Sequence, residues 1–184
     1  MLLALLLSPA AAAAGLTGCE DIWFTRNQIM DRAGYCFSSP LGRALFDNAD
    51  CRGSEVALDP AAQAQVAEIQ ALEARHGCRV DTGRGWLDMP DLAFRRALWD
   101  LPIRDEFEGG CLGWTGPAVA LHAGHRPGSP MIGRVDPGDY ISFAYLPVDG
   151  WTYVTTHAPV WGPLRSAGWL NTGGAELPCA GYAV

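Results

Sequence analysis

The sequence predicts an α+β protein in which a helical unit stapled by disulfides precedes a small β-barrel. Three observations carry this expectation. The first half holds helix-start signals followed by apolar stripes, the last third holds short β-type runs separated by turns, and six cysteines, at positions 19, 36, 51, 78, 111 and 179, are spread over both.

The chain opens with an apolar run, Leu2 to Leu7, followed by Ser8, Pro9 and the small-residue stretch Ala10 to Ala14. This is the shape of a signal-peptide hydrophobic region leading into an Ala-x-Ala cleavage site, so residues 1–14 are expected to be a signal peptide. The run is too short to span a bilayer, and no later segment is long and uncharged enough to be a transmembrane segment. No Lys or Arg precedes it, which places the expected start a few codons upstream. A buried core helix is the weaker reading, because the alanines leave no periodic polar face. Leu16-Thr17-Gly18-Cys19 also spells a lipobox, which would acylate Cys19 and anchor the chain to a membrane.

Residues 19–80 read as helical. Asp21 is placed to cap a helix from Ile22 to Ala33, ended by Gly34 where a left-handed residue is required. Ser39 and Pro40 open a second, short helix with Leu41, Leu45 and Phe46 as its apolar stripe. Asp59 and Pro60 repeat the signal for a third helix through His76, with Ala62, Val66, Ile69 and Leu72 on one face and Gly77 after its end. Arg26 lies between Ile22 and Ile29 at helical spacing, so its guanidinium is expected against the core, where it needs a carboxylate or carbonyl partner. Capture of an anionic group by Arg26 or Arg32 is the functional alternative to that structural role.

Residues 81–110 read as a structured connector punctuated by Gly, Pro and Asp around Trp86, Phe94 and Trp99. Pro90 and Asp91 start one short helix that Pro102 must end, and the connector's aromatics are expected to dock one half against the other. Residues 111–179 carry the β-type runs 118–121, 131–135, 140–145 and 151–155, separated by Gly, Pro or Asp turns; this spacing argues for a small barrel.

An even cysteine count in an exported chain reads as three disulfides, and acylation of Cys19 would orphan one thiol, so parity opposes the lipid anchor. Cys19 and Cys36 flank a helix of about 13 residues, roughly 20 Å long, and cannot pair across it. If the three helices run up, down and up, the expected bridges are Cys19 with Cys51, Cys36 with Cys78, and Cys111 with Cys179.

Hydrophobic residues at 49% and seven Trp supply material for one domain or two small ones. A net charge of −7 opposes attraction to nucleic acid or to an anionic membrane. All thirteen basic residues are Arg, as the codon bias of a GC-rich genome produces.

The segment from Ile22 to Phe37, with Trp23, Arg26-Asn27-Gln28-Ile29 and Met30-Asp31-Arg32-Ala33-Gly34-Tyr35, resembles the YARHG domain, an extracellular bacterial module. Its Tyr-Ala-Arg-His-Gly signature is reduced here to Arg32 and Gly34. The literal Ala74-Arg75-His76-Gly77 lacks the Trp and Arg-Asn context and reads as a helix end. Most of the chain resembles the DUF4453 family of exported proteins, a likeness that brings no established activity; the YARHG likeness implies association with the cell wall. The last region resembles a bacterial SH3-like domain in Leu121 followed by Gly124 and Pro127, Ile132-Gly133 leading to Pro137-Gly138-Asp139, Gly150-Trp151 with Val154, and Gly168-Trp169-Leu170. That resemblance implies binding of peptides or cell-wall material.

No Gly-x-Ser-x-Gly elbow, phosphate-binding loop, His-Glu-x-x-His or Cys-x-x-Cys occurs. His122 and His125 are spaced to share a metal but lack clustered further ligands, so a structural or solvated pair is the better reading and no cofactor or metal is expected. Trp151 and Trp169 are weighed as ligand platform against barrel core, with core favoured, and Asp105 and Glu106 as a solvated face. The functional expectation is a non-enzymatic binding or adaptor protein of the periplasm or cell exterior, taking cell-wall material such as peptidoglycan or an envelope protein, with His122, His125, Trp151 and Trp169 as candidate ligand residues. A hydrolase built near His122 and His125, or a purely structural secreted protein, are the alternatives.

Overall fold

The computed structural model describes residues 18–158 and 162–183; the expected signal peptide, residues 1–14, lies outside them. Among the described residues four helices come first, α1 (Cys19–Arg32), α2 (Pro40–Leu45), α3 (Pro60–Arg75) and α4 (Leu92–Ala97). Seven strands follow, β1 (Arg104–Leu112), β2 (Val119–His122), β3 (Met131–Val135), β4 (Tyr140–Tyr145), β5 (Trp151–His157), β6 (Leu164–Asn171) and β7 (Tyr182–Ala183). The protein is therefore α+β. Among the described residues no helix is long and apolar enough to cross a membrane.

Local chemistry explains the helix ends. Ser39 Oγ accepts a hydrogen bond from Gly42 N at 3.1 Å and Asp59 Oδ1 one from Ala62 N at 2.9 Å, each followed by Pro at the first helical position. Gly34 and Gly77 follow α1 and α3 with φ of +89° and +60°, the left-handed conformation that ends a helix cheaply only with Gly. Asp21 departs from its expected role: α1 starts at Cys19, and the Asp21 side chain is buried inside the first turn instead of capping it.

The disulfides are Cys19–Cys78, Cys36–Cys51 and Cys111–Cys179. The last is the expected one; the first two replace the expected Cys19–Cys51 and Cys36–Cys78. The reason is the length of α2, which at six residues is too short to carry the chain across the unit. Segment 36–53 instead makes an excursion beside the end of α1, where Arg52 N donates to Gly34 O at 2.6 Å and Cys36 N to Gly53 O at 2.8 Å. Cys51 thus returns to Cys36. The 16-residue α3 then runs back antiparallel to α1 and delivers Cys78 to Cys19.

The strands form one antiparallel sheet in the order β3-β2-β6-β5-β4-β1-β7, which is not closed into a barrel. Closure would bury the sheet against its own opposite wall, whereas here the helices cover it. Ile22 and Ile29 of α1 and Ile69 and Leu72 of α3 pack in one buried cluster with Tyr145, Tyr153, Ala167 and Trp169 of the sheet. Phe94 docks against this cluster as the connector's aromatics were expected to, while Trp86 and Trp99 stay more than half or half exposed. A second cluster, with Trp23, Phe24, Phe37, Leu41 and Phe46, is confined to the helices and connector. A third, with Cys111, Trp114, Leu121, Val135, Ile141 and Val154, belongs to the sheet. β1 begins at Arg104, inside the stretch read as connector, and its register against β4 is irregular between Arg104 and Gly109.

Candidate functional site

The polar centre of the molecule lies where the helices meet the sheet. Arg95 on α4 is completely buried, and a buried guanidinium must be compensated. Its Nη2 pairs with Asp21 Oδ1 of α1, and its Nε lies 3.4 Å from Asp91 Oδ2 one turn earlier. Its plane sits 4.9 Å from the ring centre of Tyr145 and 5.1 Å from that of Tyr153. Compensation comes from two carboxylates and two aromatic faces, because none of the three guanidinium nitrogens has a well-aligned hydrogen bond among the described residues.

The sheet satisfies the same carboxylates. Tyr145 Oη donates to Asp21 Oδ2 at 2.6 Å and Tyr153 Oη to Asp91 Oδ2 at 3.0 Å. Arg104 of β1 approaches Asp21 Oδ2 at 3.5 Å and pairs with Glu108. Burial raises the pKa of Asp91 above the ordinary aspartate range, with the Tyr153 hydroxyl opposing the shift. Burial, and then the Asp91 charge, push Tyr153 well above the ordinary phenol value, which keeps its proton in place as a donor.

This network floors an open cleft of about 550 Å³ between the two halves. Glu20, Asp21, Arg79, Asp88 and Asp91 line it from the helical side, and Arg104, Glu108, Ser142, Tyr145, Thr155 and His157 from the sheet. A second hollow of about 420 Å³ continues it, sharing Glu108, Ser142 and His157. The size is that of a small-ligand site. His157 Nδ1 lies 3.0 Å from the carbonyl oxygen of Gly162, which can only accept, so Nδ1 carries the proton. In the neutral ring Nε2 is then an acceptor, and it lies 3.1 Å from the Thr155 hydroxyl.

The residues singled out in the sequence lie elsewhere. Trp151 and Trp169 are buried in the cluster shared by both halves, and Trp169 Nε1 donates to Asp100 O at 2.8 Å. His122 meets Trp151 edge-on with ring centres 5.6 Å apart and holds Ser129 O through Nδ1 at 2.8 Å. His125 packs edge-on to Trp169 at 4.9 Å. None of the four lines the cleft or its continuation. Among the described residues no group of three or more His, Cys, Asp and Glu side chains converges as a metal site, so His122 and His125 have no third protein ligand. Arg26 has the carboxylate that its spacing requires, Nε lying 3.0 and 3.1 Å from the two oxygens of Glu73 on α3. Arg32 donates to Leu98 O and Trp99 O and so ties α1 to the segment after α4.

Sequence reasoning missed Asp21, Asp91, Arg95, Tyr145, Tyr153 and His157 as members of one site. They come from four elements, α1, α4 with its N-cap, β4 and β5, and share no short motif; the one available signal was the Asp that precedes a short helix four residues before an Arg within it.

Comparison with known families places the DUF4453 domain, described as a domain of unknown function, on residues 77–184 and the YARHG domain on residues 1–74. No curated protein and no solved structure matches the chain.

Proposed function

The chain belongs to the DUF4453 family, and from that premise we propose that it is a non-enzymatic binding or adaptor module of the bacterial cell envelope whose ligand seats in the cleft between helices and sheet. Three disulfides with no free cysteine among the described residues suggest an oxidising, extracytoplasmic location. Within that location we assign the periplasm or the exterior. The Cys19 sulfur is engaged by Cys78, which disfavours the lipid anchor.

The observation that carries the reading is the cleft itself. It is open, sized for a small ligand or a peptide segment, and built on a floor whose charges are paired across both halves. A rigid, pre-paired floor lowers the ordering cost of binding. The helical part matches the YARHG domain, and the cell-wall association that this likeness implies favours peptidoglycan as the partner, with an envelope protein as the other candidate. The SH3-like resemblance of the last region agrees with a binding role without adding a site. The test is retention of the oxidised protein on purified peptidoglycan and in periplasmic extract, beside Ser142→Trp, which fills the cleft where its two hollows join. Retention by the native chain and its loss in a folded Ser142→Trp supports the proposal; equal retention of both refutes the cleft as the seat.

A second reading, a hydrolase, draws on Thr155 and His157 in preference to His122 and His125. A hydroxyl donating to an imidazole of fixed tautomer is the arrangement of an activated nucleophile. A covalent adduct on Thr155 after treatment with a fluorophosphonate would establish it.

A further inference from the structure

The charges around the cleft divide into those that have partners and those that do not. Asp21 and Asp91 are held by Arg95 and the two tyrosines, Glu108 pairs with Arg104, and Glu20 pairs with Arg84 while accepting from Asp88 N. Among the described residues the side chains of three arginines, Arg43, Arg52 and Arg79, make no hydrogen bond or ion pair, and of these Arg79 alone lines the cleft. The Asp88 carboxylate also lines it without a partner. Both side chains are exposed at the rim, and they are not paired with each other.

An unpaired cation and an unpaired anion facing one cleft form a complementary pair of ends. A ligand with a single charge would satisfy one and leave the other in contact with it, whereas a ligand carrying both charges engages each by a charge-assisted hydrogen bond. The backbone holds the two ends in place. Arg79 follows Cys78, whose disulfide fixes it to Cys19, and the Asp88 amide is bound by Glu20 of the same α1 turn. Met89 and Pro90 add apolar lining to the same cleft.

We propose that this rim binds a small zwitterion, a free amino acid or short peptide with an ammonium and a carboxylate exposed, the carboxylate on Arg79 and the ammonium on Asp88. The inference rests on the cleft being the ligand seat and adds the chemical class that it selects.

Titration calorimetry of the oxidised full chain with the tripeptide Ala-Ala-Ala, its N-acetyl form and its C-terminal amide reads the two ends separately. The proposal expects the free tripeptide to bind and each cap to weaken it by about tenfold, the order of one charge-assisted contact. Arg79→Ala should abolish the preference for a free carboxylate and keep that for a free ammonium; Asp88→Asn should do the reverse. Both residues are exposed and unpaired, so neither change threatens the fold. Equal binding of all three peptides, or binding by none of them up to about 10 mM, overturns the zwitterion site. Retention on peptidoglycan that remains sensitive to Ser142→Trp in that event would leave the cleft as a ligand seat, so the two claims fail separately.

Discussion

The helical half and the sheet are stabilised in different ways. The helices have a compact aromatic cluster around Phe24, Phe37 and Phe46 and two disulfides, one local and one distant, that close the end and start of α1 onto later chain. The sheet has one disulfide and depends on long-range register, with β1 and β4 paired across some thirty residues of chain and β6 inserted between β2 and β5. Neither device covers the face where the halves meet. That face holds the shared cluster of Ile22, Ile69, Tyr153 and Trp169, and in its middle the Arg95 ion cluster. The two family matches divide the chain near residue 75, but the packing crosses that boundary. Sequence modules and the folding unit are therefore different things in this protein.

The strongest way to break the comparison is to remove the group that touches both halves. Arg95→Met leaves Asp21 and Asp91 buried beside an apolar side chain, a loss of about 3–5 kcal/mol. Urea denaturation should show the helices and the sheet losing stability together; a loss confined to the helices would mean that Arg95 serves α4 alone.

The disulfides separate local from long-range restraint. Replacing Cys19 and Cys78 by Ser should cost about 4 kcal/mol, and replacing Cys36 and Cys51 about 3 kcal/mol, because the first closes the longer loop. The reversed order in thermal or urea unfolding would contradict the assignment of 36–53 as a local excursion.

Much of this was legible in the chain. Ser39-Pro40, Asp59-Pro60, Gly34 and Gly77 announced their helix ends because capping is decided by two or three neighbouring residues. The runs 131–135 and 140–145 coincide with β3 and β4 because their β-type residues are bounded by Gly and Pro. Arg26 was recognised as needing a partner from its spacing alone, although Glu73 was not identified. What could not be read depended on distant chain. β1 is acidic, exposes Phe107 and is irregular against β4, so it shows no alternation. The first two disulfides turned on whether a six-residue helix crosses the unit. The open sheet turned on helices covering a face that a barrel would have covered itself. Asp21 was read as a cap because the Arg95 that recruits it lies 74 positions away.

Smaller effects sharpen the picture. Tyr153→Phe removes the hydroxyl bound to buried Asp91 and should cost about 2 kcal/mol, while Tyr145→Phe should cost less because Asp21 keeps Arg104 and Arg95. Equal losses would show that Arg104 at 3.5 Å contributes nothing. Arg26→Gln, at the half-buried pair between α1 and α3, should cost about 1 kcal/mol, measured by the same unfolding midpoint.

The pH dependence from Asp91 has a definite sign. Its folded-state pKa is raised by burial, so between the ordinary aspartate value and the raised one the folded chain holds a proton that the unfolded chain has released. Stability contributed by Asp91 is therefore greatest at acid pH and falls as pH rises through that window. The difference in unfolding free energy between the native chain and Asp91→Asn should slope downward there; a difference that is flat or rises with pH would contradict the burial argument.

The most direct test is hydrogen exchange by mass spectrometry of the oxidised protein across a urea series, following peptides from α1 and α3 beside peptides from β5 and β6. If the shared cluster and the Arg95 network make one unit, the most protected amides of both sets lose protection at the same urea concentration with the same slope. Loss of protection in α1 and α3 at lower urea, with β5 and β6 still protected, would mean two independent halves, and a cleft between them without a fixed floor.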